Sequence, residues 1–153
     1  MGPTSQNASS PDMPNILGWA GLVPFGFSAL GTHSGIDALV LYGFLGGTTY
    51  GAVILSFLGA VHWGLAMRDD RSPYWYVWSI TPALFGAASQ LTPDFSIRIV
   101  LLILLFVLVW LVDYLASKKG LIPAWYQRLR SLLTIGAIIS LNLMLAADPD
   151  YIR

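Results

Sequence analysis

Residues 38–67 read ALVLYGFLGGTTYGAVILSFLGAVHWGLAM. No Asp, Glu, Lys or Arg interrupts them. A bilayer core of ~30 Å is crossed by about 20 helical residues, so the stretch reads as a transmembrane helix with length to spare. The spare length falls at its start. Gly46-Gly47 is expected to bend the chain there, separating an interfacial lead-in from a true span at about 44–67. Within that span Thr48, Ala52, Ser56, Ala60 and Gly64 recur every four residues, with Gly43, Gly47 and Gly51 alongside and Gly59 further on. Helices in lipid gain nothing by hiding Leu from Leu; they associate where small side chains let backbones approach. The expected packing face is therefore Gly47, Gly51, Ala52, Ser56, Gly59, Ala60 and Gly64, with Tyr50, Ile54, Phe57, Val61 and Leu65 on the other side. This is read as the central helix.

Four more apolar stretches flank it, near 16–31, 73–91, 96–116 and 129–147. The first carries Pro24 and is expected to tilt or kink; the third starts at Pro73 and contains Pro82. Ser79, Ala83 and Ala87 make the third a partner for the central helix. The fourth, IVLLILLFVLVWLV at 99–112, is bulky throughout and reads as a peripheral, lipid-facing helix. The fifth carries Ser131, Thr134, Gly136, Ser140 and Asn142; Asn142 is costly in hydrocarbon and should face protein. Residues 1–14 (MGPTSQNASSPDMP) read as a disordered polar tail, and 148–153 as a short C-terminal one. The tail has no basic residue, and the first in the chain is Arg68, so loss of the first apolar run by signal cleavage is not expected.

Composition agrees. The 153 residues are 56% hydrophobic and 10% charged, with a mean hydropathy of +0.66. Soluble domains carry roughly 25% charge. The fold class is therefore all-α, an integral membrane bundle of five transmembrane helices. Eight Lys+Arg balance eight Asp+Glu, so no charge excess draws the chain to nucleic acid. There is no cysteine, which excludes disulfides and thiolate metal sites. With five spans, Arg68, Arg71, Lys118, Lys119, Arg128 and Arg130 lie on the N-terminal side and Arg98 and Arg153 on the other. Six against two puts the N-terminus in the cytoplasm and the C-terminus in the periplasm of a bacterial inner membrane. On this topology all six Trp fall in the cytoplasmic half.

One group of residues could carry chemistry. His62, Asp113, Arg128 and Arg130, with Trp63, Trp125 and Tyr126, should lie near the cytoplasmic interface. Asp113 sits near the C-terminal end of its helix, where the dipole disfavours an anion. It calls for a cation: Arg128, Arg130, Lys118 or protonated His62. An ion-paired clamp between helices is the first reading of this cluster. A site for a lipid headgroup or quinone is the second, and proton transfer through His62 the third. His33 and His62, the only histidines, fall at opposite faces and should not share a metal; His33 reads as a solvated loop residue. No nucleophile elbow, phosphate loop, HExxH or paired carboxylates appear, so no enzyme and no cofactor are expected.

Gly51–Leu65 (GAVILSFLGAVHWGL), Leu17–Phe25 (LGWAGLVPF), Trp78–Pro82 (WSITP) and Pro123–Thr134 (PAWYQRLRSLLT) together resemble an uncharacterised family of small polytopic proteins. The family occurs in proteobacteria, where it is labelled a domain of unknown function, and in eukaryotes as transmembrane protein 69. The resemblance runs from about residue 15 to 146 and implies five spans in an inner membrane, not a reaction. The functional expectation is a non-catalytic subunit or accessory protein of a larger inner-membrane complex, for instance an energy-transducing one. Its partners would be the lipid bilayer and other membrane subunits. The alternative is a small-molecule membrane protein, a carrier or a quinone or lipid binder, using the His/Asp/Arg end.

Overall fold

The computed structural model describes residues 12–69 and 72–147. Most of the expected N-terminal tail and all of the C-terminal one lie outside the described residues, as do Asp70 and Arg71. The described residues form six helices: α1 (Asp12–Ala20), α2 (Val23–Thr32), α3 (Asp37–Arg68), α4 (Pro73–Ser89), α5 (Phe95–Lys118) and α6 (Ala124–Ala146). Among the described residues, four segments are long and apolar enough to cross a membrane: α1 with α2 (Asp12–Thr32), α3, α5 and α6. With 17 residues, α4 spans about 25 Å, at the short end of the transmembrane range.

The helix ends follow from the sequence. Asp94 accepts from the backbone N–H of Ile97 and caps α5. At the other end Gly120 takes φ +71°, which lets Leu121 N–H reach Ala116 O and Gly120 N–H reach Ser117 O. That pair of bonds is a Schellman stop, and it needs a residue without a Cβ penalty at positive φ. Pro73 and Pro24 sit in the first turns of α4 and α2, where no intrahelical N–H is required.

Four expectations about these elements need correction. The first stretch is two helices, not one bent one, and α1 begins at Asp12, inside the expected tail. The break falls just before Pro24, and the Tyr50 hydroxyl donates to the Gly21 carbonyl there. The α3 helix runs unbroken through Gly46-Gly47 for 32 residues. The glycines there serve packing: a Cβ at Gly47 would lie 2.6 Å from Met144 Cε, and one at Gly43 would lie 2.8 Å from Ser28 O. The α5 helix is peripheral on one side only, because Ile99, Leu102, Phe106 and Val109 are buried in the core. Asn142 is exposed, and its Nδ2 donates to Ile138 O of its own helix. That intrahelical bond supplies the partner that burial against protein was expected to provide.

The packing face of α3 also differs from the expected row. Gly47, Gly51, Ala52 and Gly59 are buried, but Ser56, Ala60 and Gly64 are exposed. A strict four-residue step turns 400°, so each step drifts about 40° and four steps leave the face. The true stripe mixes steps of three and four: Val40, Phe44, Gly47, Gly51, Leu55, Leu58, His62 and Ala66. The partnership of α3 with α4 holds, centred on Gly59. A side chain there would run into the carbonyl of Ser79, and Pro82 packs beside it. On α4 the buried residues are Ser79, Pro82, Gly86 and Ser89, so the same drift removes Ala87.

Cross-contacts set the directions. Phe44 stacks on Phe95 at 5.3 Å, near the starts of α3 and α5, and His62 meets Asp113 near their ends. The two helices therefore run parallel, and α4 must carry the chain back along the bundle between them. The α6 helix runs the other way. Its last turns lie by the start of α3, where His33 Nε2 is 2.9 Å from Leu143 O.

Candidate functional site

Three helices deliver three ionisable side chains to one layer. His62 lies six residues before the end of α3, Asp113 five before the end of α5, and Arg130 six after the start of α6. At 1.5 Å per residue each is about 8–9 Å inside its helix terminus. His62 Nε2 is 2.7 Å from Asp113 Oδ1, and Arg130 Nε donates to Asp113 Oδ2 at 2.9 Å. Arg130 Nη1 donates to Thr134 Oγ1 at 3.1 Å. All four side chains are buried; His62 is 1% exposed and Asp113 2%.

Asp113 thus has both oxygens occupied. A carboxylate only accepts, so His62 Nε2 bears the hydrogen it shares with Asp113. The imidazole is held flat against the Trp75 indole, with centroids 5.2 Å apart and planes 10° apart. This resolves the choice of cation for Asp113 as Arg130, with the His62 imidazole on its other oxygen. Arg128 is exposed, and Lys118 instead sits over the Tyr114 ring at 5.4 Å. Trp63 leaves the cluster and packs edge-on against Tyr76. Sequence reading missed Thr134, Gln127 and Trp75. The first two were signalled by spacing: i+4 and i−3 from Arg130 put them on its face. Nothing local marked Trp75, whose place depends on how α4 packs on α3.

Beside this layer runs an apolar groove of about 410 Å³. Leu17 and Gly18 of α1, Phe25 of α2, Leu58 of α3, Phe106 of α5 and Leu133 of α6 form its walls. Trp125, Tyr126 and Arg130 line it toward the start of α6. Burial pairs with incomplete bonding here: Arg130 Nη2, His62 Nδ1 and both Gln127 side-chain polar atoms have no hydrogen-bond partner among the described residues.

Chemically, the layer holds a charge pair, an imidazole and the Thr134 hydroxyl. It can fix helices and donate hydrogen bonds from Arg130. His33, at the opposite end, is exposed and tied to α6 by its contact with Leu143 O.

The sequence profile of the family described as Protein of unknown function (DUF3429) matches residues 10–146. Transmembrane protein 69 of Xenopus tropicalis is 32% identical over 138 residues, which cover 82% of this chain and 50% of that protein. The chain thus spans about half the length of the curated relative it matches. No solved structure matches.

Proposed function

The chain belongs to the DUF3429 family of membrane proteins of unknown function, and from that premise we propose that it is a non-catalytic, multi-pass accessory subunit of a larger membrane complex. The observation that supports this is where its polar chemistry goes. The buried charges near the α6 start are spent on tying α3, α5 and α6 to one another. The long outward face of α5 (Val100, Leu104, Val107, Leu111) offers only apolar surface. A rigid bundle with a smooth apolar flank suits assembly better than turnover. In this reading the chain crosses a bacterial inner membrane five times, α4 included, with its N-terminus in the cytoplasm. The support for that orientation is the six-to-two bias of basic residues.

The absence of cysteine makes the test direct. A single Leu104→Cys variant, crosslinked in native membranes, should give one discrete heavier adduct with a distinct protein and should co-migrate with it in mild detergent. A chain that runs alone, with no adduct from Leu104→Cys or Val107→Cys, contradicts the proposal.

A second reading, a protein that binds a small amphiphile, is favoured by one feature: Arg130 is at once a wall of the apolar groove and the owner of a buried N–H group without a partner.

A further inference from the structure

The groove and Arg130 together define a ligand more narrowly than either does alone. Along α6 its lining runs from Trp125 to Ala137. Those residues cover about 18 Å of helix, so the groove is elongated along α6. An elongated, almost wholly apolar groove suits a hydrocarbon chain laid along the helix. The groove also opens sideways: Leu17 and Phe57, both on its rim, are about two-thirds exposed. A molecule enters it from the flank of the bundle, where lipid lies, and its long axis follows α6.

The polar end sets the head. Arg130 is the one charged residue in the lining, and it is only 4% exposed. Its charge is already matched by Asp113 at 2.9 Å. A full anion brought here would be left uncompensated in a buried site. A neutral oxygen acceptor would not, and once the guanidinium turns toward the groove it would satisfy the N–H of Nη2, which is buried without a partner among the described residues. The layer lies about 8–9 Å inside the helix ends.

We propose that this groove is an intramembrane site for one acyl chain of a glycerolipid, entering between α1 and α3, with its ester carbonyl accepting a hydrogen bond from Arg130. The assignment rests on the second reading above. Gly18 belongs to the device: a Cβ there would lie 2.9 Å from Leu133 Cδ1 and narrow the passage.

The test uses the full chain in phosphatidylcholine nanodiscs doped with phosphatidylcholine that carries a diazirine midway along one acyl chain. After irradiation, adducts on Leu133 and Phe106 should exceed those on the outward-facing Leu104 at least five-fold. Leu133→Trp, which fills the groove without touching the ion pair, should bring the groove adducts down to the Leu104 level. Arg130→Lys keeps the charge beside Asp113 but removes the second guanidinium arm, and should lower groove labelling at least two-fold. Labelling no stronger in the groove than on Leu104, or unchanged by Leu133→Trp, overturns the site. Unchanged labelling in Arg130→Lys overturns the carbonyl contact. Displacement of the photolipid by an equal mole fraction of an isoprenoid quinone overturns the lipid assignment while leaving the second reading intact. Failure of both ligands to occupy the groove removes that reading as well.

Discussion

Asp113 joins three helices through one side chain. It accepts from His62 on one oxygen and from Arg130 on the other, so its loss strands a buried cation and a buried imidazole together. Removing one partner of a buried pair costs about 3–5 kcal/mol, most of it the penalty on what remains. Asp113→Ala should therefore destabilise the bundle by about that amount, read as the shift in unfolding midpoint in a mixed-micelle titration. The triple variant His62→Leu, Asp113→Leu, Arg130→Met should recover most of the loss, since apolar groups of similar size leave nothing unpaired. If the triple variant is as unstable as the single one, the cluster is more than a clamp. Arg128 gives the matching negative. It is exposed and outside the network, so Arg128→Ala should move stability by less than about 0.5 kcal/mol in the same titration. The charge deficit of the chain made the cluster visible in the sequence, because a lone Asp inside an apolar run needs a partner. Which arginine answers it was not visible. Arg128 and Arg130 are two residues apart, which on a helix is about 200°, and only the packing of α6 on α5 decides which faces inward.

At the scale of elements, glycine positions separate packing from composition. Gly59 and Gly64 are five residues apart on α3 and were both expected on its packing face. A Cβ at Gly59 runs into the Ser79 backbone carbonyl, whereas one at Gly64 meets nothing within 4 Å. Backbone cannot step aside as a flexible side chain can. Gly59→Ala should accordingly push α3 and α4 apart and lower the unfolding midpoint well beyond the effect of Gly64→Ala. The latter should be neutral or gain up to about 1 kcal/mol from the better helix former. Equal effects at the two positions would refute the α3–α4 contact. This contrast also shows why the small-residue pattern was only half legible. Its presence marks a tightly packed helix, and α3 is that helix, buried along its length. Its register is lost when every fourth residue is followed, because the 3.6-residue turn walks the row round to lipid. Pro24 marked where the first stretch bends but not that it parts into α1 and α2, and the continuity of α3 through Gly46-Gly47 was not legible either. Glycine permits a bend, and the contacts with Ser28 and Met144 hold the helix on course.

Taken whole, the molecule is a bundle whose two ends differ. One end gathers His62, Asp113 and Arg130 with Trp75, Trp110, Trp125 and their tyrosine neighbours; the other holds His33 against the last turns of α6. The five apolar stretches were legible because lipid demands long runs without charge. The short fourth helical segment, α4, is where hydropathy and geometry pull apart. Among the described residues, four segments qualify as spans by length and composition. Yet the parallel course of α3 and α5 requires α4 to return the chain from one end to the other. Side-specific thiol labelling decides between these counts, since the cysteine-free chain accepts single reporters at will. Ser34→Cys reports the loop before α3, and Lys119→Cys the turn after α5. With α4 crossing, the two lie on opposite faces of the membrane: a membrane-impermeant maleimide added to intact cells should label Ser34→Cys and reach Lys119→Cys only after the membrane is opened. If both cysteines react from the same side, α4 does not cross, α3 and α5 cannot run parallel, and the His62–Asp113–Arg130 layer on which the account is built does not exist.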